Sequence, residues 1–191
     1  MSSGASQTQV GAGYPEGVSH PSIRPFYADW PVYHRHIVDL VRGMTNDELG
    51  IRPAPERWPI WATVGHMAGV RIFWLCYVSG EPGIDATPWA DPGQAGWEED
   101  LDHPRGAEEL TQALTSTWAI VDRCLDRWTP GMLDETAGVE SAGGVRLHTR
   151  QSILLRLLSH DAYHAGELSQ TLGVAGLPQI DLWPREDHAV Q

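Results

Sequence analysis

His160 and His164 stand four residues apart in the run Gln151–Leu172. Read as one helix, that run carries both imidazoles on one side, one turn apart. Ile153, Leu157, His160, His164 and Leu168 follow steps of four, three, four and four, so the histidines continue an apolar stripe. A pair of imidazoles turned toward a core costs free energy unless a partner satisfies it. A divalent ion is such a partner, because neutral imidazole ligates zinc and its neighbours. Glu167, three residues past His164, falls within reach of the same face. It is the candidate catalytic residue, placed to orient a ligand histidine or to move a proton at a bound water. The plainer alternative is a helical carboxylate facing solvent.

Two histidines rarely make a stable metal site, so a facing element has to supply a third. His66 is the candidate, in the middle of the most apolar run and flanked by Val64, Met67 and Ile72. Three histidines leave a coordination position for water or substrate, the pattern of a catalytic rather than a structural site. Spacing alone leaves other readings open. A core histidine such as His66 is often hydrogen-bonded to a backbone or hydroxyl group, and an H-x-x-x-H pair also suits a helix surface.

Four helices are expected to position these residues. The first spans about 25–44, where Phe26, Trp30, Tyr33, Ile37, Leu40 and Met44 recur at steps of three or four. Pro31 interrupts it early and is a candidate for its true start; His34 and His36, two apart, point to different faces. Residues 52–58 are extended or looped around two prolines. The second helix opens near Pro59 and runs to about Val78, apolar nearly all round. The third covers about 106–128, and the fourth runs from about Thr149 to Gly173, a glycine suited to a C-terminal cap. Residues 80–103, rich in Gly, Pro, Asp and Trp, form a loop longer than most and suited to covering a site or an interface. The stretch 129–144 is irregular with a weak signal for a short hairpin, and apolar residues within 177–183 can pack back on the body. The fold class is therefore all-α, a four-helix bundle with long crossover loops over 25–183. It is flanked by a flexible N-terminal tail, 1–24, and a C-terminal tail, 184–191.

Several single residues carry alternatives. Arg71 interrupts the apolar second helix and needs a buried carboxylate, an anionic substrate, or a route to the surface. Tyr163 is read as a core residue with a satisfied hydroxyl, and Asp161 lies on another face from the histidine pair. Trp89 and Trp97, in the long loop, suit an apolar pocket, a dimer contact or plain core packing. His20, His103, His148 and His188 are read as loop, cap or tail residues.

The formal net charge of -12 repels phosphate backbones and anionic lipid, so neither nucleic acid nor membrane is an expected partner. Cys76 and Cys124 lie in apolar helical patterns and read as buried free thiols. With no long apolar span and no signal-peptide pattern at the N-terminus, a cytoplasmic location is expected.

Three segments together resemble one family. They are Trp58-Pro-Ile-Trp-Ala-Thr-Val-Gly-His66-Met-Ala-Gly, Ser159-His160-Asp-Ala-Tyr-His164-Ala-Gly-Glu-Leu168 and Gly176-Leu-Pro-Gln-Ile-Asp-Leu-Trp183. The layout from Phe26 to Trp183 resembles the DinB-like four-helix bundles, in their DinB/YfiT-type metalloenzyme branch. The resemblance implies that His66, His160 and His164 bind one divalent ion, whether zinc, nickel, iron or manganese. It also implies a low-molecular-weight thiol as a second cofactor and a small-molecule electrophile as substrate. The activity implied is that of a thiol S-transferase or a related metalloenzyme such as a hydrolase. The alternative is a non-catalytic metal-binding stress-response protein, its ion closed off by a fourth ligand such as Glu167. The abundance of tryptophan suits a homodimer. The tail and the loop at 80–103 depart from a minimal member of the family.

Overall fold

A computed structural model of the chain describes residues 21–91, 96–141 and 143–183. Four long helices dominate: α1 (Trp30–Gly43), α3 (Ile60–Arg71), α4 (Ala107–Arg127) and α5 (Arg150–Val174), with a short α2 (Asn46–Leu49) between the first two. Around the bundle α1 packs on α4, α4 on α3, α3 on α5, and α5 closes back on α1. The core is a single cluster to which all four contribute, including Ile37, Val64, Leu114 and Leu157.

Local chemistry explains the boundaries. α1 begins at Trp30 with Pro31 in its first turn, where the missing N–H costs nothing. The helix therefore starts later than the expected Pro25, after a separate 3₁₀ turn, Arg24–Tyr27, and Phe26 is exposed, not part of the buried stripe. Packing itself begins before Pro25. Ile23 is buried and donates its N–H to the Trp128 carbonyl at 3.0 Å, while Arg24 pairs with Asp122 and Asp126 on α4. Thr45 and Glu48 close a reciprocal capping box on α2. α3 is buried on nearly every face and continues as a π-helical turn, Ile72–Val78.

The irregular stretch after α4 contains a hairpin, β1 (Thr136–Ser141) with β2 (Gly144–Thr149), paired antiparallel from Thr136↔Thr149 to Ser141↔Gly144. It leads directly into α5, whose N-cap Thr149 accepts from the Ser152 N–H. α5 runs through Gly173, and the left-handed residue that ends it is Gly176 (φ 75°). The segment that follows folds back: Leu182 is buried, and the Trp183 indole donates to the Tyr33 hydroxyl at 2.6 Å. Both cysteines are buried and free, and burial pushes the Cys76 and Cys124 thiols up to about 11 and about 12. Among the described residues no helix is long and apolar enough to cross a membrane. His20, His188 and the ends of both tails lie outside the described residues.

Candidate metal centre

α3 and α5 face each other, and each brings imidazole to the contact. His160 Nε2 lies 3.0 Å from His66 Nε2 and 3.1 Å from His164 Nε2. The three ligand atoms fall within 4.8 Å of one another. His164 is buried and the other two are half-buried.

The outer nitrogens decide what the inner ones can do. His66 Nδ1 is 2.5 Å from Glu98 Oε1, and His164 Nδ1 is 2.9 Å from Glu167 Oε2. An ionised carboxylate only accepts, so each Nδ1 carries the proton, and Nε2 of a neutral ring is then a bare lone pair. His160 Nε2 sits within hydrogen-bond distance of both lone pairs, and a single N–H shared between two acceptors serves each poorly. His160 Nδ1 is itself buried without a partner among the described residues. Burial and then the neighbouring rings hold His160 down to about 3, and burial lowers His164 against the pull of Glu167. Three imidazole nitrogens thus converge with too few protons between them, and a divalent cation would satisfy all three. Carboxylates on the far nitrogens of two of them are the usual arrangement behind metal-bound imidazole.

Glu98 reaches the site through packing far from it in sequence. It sits in a 3₁₀ turn, Trp97–Glu99, between α3 and α4. Trp97 lies flat on Gly65: a Cβ there would stand 3.2 Å from Trp97 Cβ and 3.3 Å from its ring. Trp89 stacks on Trp97 (centroids 4.8 Å, 19°) and covers Gly69, and Arg105 lies over the Trp97 ring at 4.7 Å. Two glycines one turn apart on α3 therefore let two indoles lie close to the helix, and the residue after the second indole is the carboxylate on His66.

A second device joins the ligand-bearing helices. Arg71 and Asp161 are both buried, and Arg71 Nη2 donates to Asp161 Oδ2 at 2.9 Å. The Trp30 indole donates to the same oxygen at 2.9 Å, and Arg71 Nη1 reaches the Leu114 carbonyl at 3.2 Å. Asp161 follows His160 directly and Arg71 lies five residues past His66, so this pair sets the relation of α5 to α3 beside the histidines.

The sequence model of the DinB superfamily matches residues 34–168. The chain belongs to the DinB superfamily. Its fold is similar to that of a DinB-like protein from Bacillus cereus ATCC 10987 (18% identity, TM-score 0.61), over 85% of this chain and 99% of that one. It is similar also to a protein of the DinB family from Exiguobacterium sibiricum 255-15 (20% identity, TM-score 0.56, 83% and 95% covered). A DinB-like protein from Bacillus subtilis aligns at 16% identity, with a TM-score of 0.55 over 82% and 95%. No match is found among the curated proteins.

In this DinB superfamily chain the three histidines singled out by helical pattern and resemblance come together, and Glu167 is hydrogen-bonded to one of them. Among the described residues no other His, Cys, Asp or Glu joins the trio. Asp161 serves Arg71, not the site directly. Tyr163 is exposed, contrary to the core placement expected for it, and its ring meets that of His164 edge-on at 5.0 Å. Trp89 and Trp97 are buried and packed against α3. Two residues beside the trio carried no assigned role in the sequence: Glu98, which lacks any periodic signal in an acidic loop, and Trp58, whose ring lies 5.0 Å from that of His66. His34 is buried and stacked on Trp118 (4.5 Å, 10°) and is remote from the trio in role.

Proposed function

We propose that this chain is a metal-dependent enzyme that joins a small thiol to a small electrophile, with His66, His160 and His164 as the ligands of one divalent ion. The observation that carries the reading is the set of three Nε2 atoms with two of the far nitrogens held by carboxylates. A divalent ion held there lowers the pKa of a thiol or water beside it and polarises an acceptor.

The rest is supplied by the chain. Glu98 and Glu167 hold the protons on Nδ1, which fixes the tautomer of two ligands and turns their lone pairs inward. Trp58 and Tyr163 flank the trio and, with His164 and Arg57, line a cleft of about 270 Å³ that gives a small molecule access. In the reaction a carbon–sulfur bond forms as the bond to the leaving group breaks, and the thiol proton departs to a base. Glu167, which lines the cleft, is placed to take that proton. A non-catalytic role with a closed ion is the weaker reading, because among the described residues the His, Cys, Asp and Glu atoms that converge are the three histidine nitrogens.

The test is a screen of the metal-loaded protein with a panel of low-molecular-weight thiols and 1-chloro-2,4-dinitrobenzene. Thioether formation that disappears in His160→Ala supports the proposal. No turnover with any thiol, from protein shown to hold its ion, sinks the transferase reading.

A further inference from the structure

The cleft beside the trio does not end there. Arg57, Tyr163 and Glu167 line it and also line a second, larger groove of about 630 Å³ along α5, within the range of small-molecule sites. The far wall of that groove is the loop between α2 and α3. The loop is closed at its base by the Ile60 N–H on the Ile51 carbonyl (3.0 Å), and Arg52 Nη1 donates to the Arg57 carbonyl at 2.6 Å. Arg52 and Arg57 are therefore carried by one tethered loop and are both exposed lining residues of the groove.

Their charge faces a groove of a strongly acidic chain. The chain has no lysine, and its 13 arginines face 25 carboxylates. Arg24, Arg42, Arg71, Arg105, Arg127 and Arg150 each reach a carboxylate. Among the described residues Arg52, Arg57, Arg123, Arg146 and Arg156 reach none, and of these Arg52 and Arg57 line the groove. Among the described residues one carboxylate, Glu167, lines the larger groove, and it is hydrogen-bonded to His164; Glu56 lines the adjoining cleft. Guanidinium is built to grip carboxylate or phosphate oxygens, and Arg52 spends one donor on the loop and keeps the rest of its fork.

We infer that the groove is the binding site for a small organic anion, a carboxylate or phosphate ester, gripped by Arg57 and Arg52 so that its other end lies in the cleft at the three histidines. The apolar faces of Ile51, Pro53 and Val174 take the body of the ligand. The inference rests on the proposed metal-dependent reading, and it names the substrate class: one reactant carries a negative group remote from its reacting atom.

The test is calorimetric titration of protein loaded with one equivalent of zinc. The probes are glutarate, glycerol 2-phosphate and the neutral glutaramide. Wild-type protein is expected to bind at least one of the two anions about tenfold more tightly than glutaramide, and the tighter anion names the source. Arg57→Gln loses most of that preference, Arg52→Gln loses part of it, and Arg57→Lys keeps a fraction, with zinc content unchanged in all three. Equal binding of glutaramide and both anions by the wild type, or an undiminished preference in the Arg52→Gln/Arg57→Gln variant, overturns the inference. Either result leaves the metal reading standing, because that reading fails separately, on zinc retained by His160→Ala.

Discussion

The two halves of the metal centre are built by different means. The α5 half is local: His160, His164 and Glu167 lie within eight residues of one helix, and helical pitch alone brings them to one face. The α3 half is assembled: His66 comes from one helix, and its carboxylate comes from a turn 32 residues further on, delivered by two stacked indoles over Gly65 and Gly69. The Arg71–Asp161 pair then holds one half to the other. A local half tolerates distant damage. An assembled half fails wherever its packing does, and that difference can be measured.

The largest effect is shared by both halves. His66→Ala and His160→Ala are each expected to weaken divalent-ion binding by about a thousandfold or more, measured by competition with a chromophoric chelator. Near-wild-type affinity in His66→Ala would reduce the site to the α5 pair alone.

Next comes the link between the halves. Arg71→Met or Asp161→Asn leaves one buried charge or polar group unpaired and is expected to cost about 3–5 kcal/mol in denaturant unfolding. Replacing both with apolar residues recovers much of that loss, since a buried pair is worth little against a well-packed apolar substitute. A double replacement no better than the singles would contradict the pairing.

The carboxylates compare the halves directly. Glu98→Gln and Glu167→Gln are each expected to lower metal affinity by about 10–100-fold, with Glu98→Gln the larger because its side chain is 10% exposed against 35% for Glu167. Gly65→Ala has a smaller effect, a few-fold, through displacement of Trp97. It should add almost nothing to Glu98→Gln, because both act through one contact. Full additivity would mean that Trp97 does not position Glu98.

The smallest effect at neutral pH lies outside both halves, in the core where α1 meets α4. Burial and the nearby Arg71 hold His34 down to about 2, against an ordinary value of 6.5. The unfolded chain takes up that proton as pH falls through about 6.5 and the folded chain does not. The contribution of neutral His34 is therefore complete above that pH and is lost as pH drops toward 2. His34→Phe, which keeps a ring on Trp118, should flatten the acid limb of the stability curve by about one proton. An unchanged slope would show that His34 already titrates normally.

How much of this was legible in the sequence follows the same division. The helices of the bundle, the i,i+4 pair and Glu167 are written in short-range periodicity, which survives without knowledge of the partner elements. His66 was marked by its apolar surroundings and by family resemblance, not by spacing. Glu98 left no trace, since one carboxylate among Glu98, Glu99 and Asp100 is chosen only by where Trp97 docks. Arg71 and Asp161 both stand out in the sequence, but a contact across 90 residues has no local signature. Tyr163 reads as a core residue from its aromatic ring, whereas it is exposed and lines the cleft. The hairpin's pairing, from Thr136 to Thr149, was faint because its β2 strand is largely exposed and shows no alternation.

The most direct measurement is X-ray absorption of the protein after dialysis against a single divalent metal. One ion per chain with three imidazole nitrogens in its first shell, falling to two in His66→Ala, is the predicted result. An ion bound by oxygen alone, or a spectrum identical in the wild type and His66→Ala, would contradict convergence of the three rings on one centre.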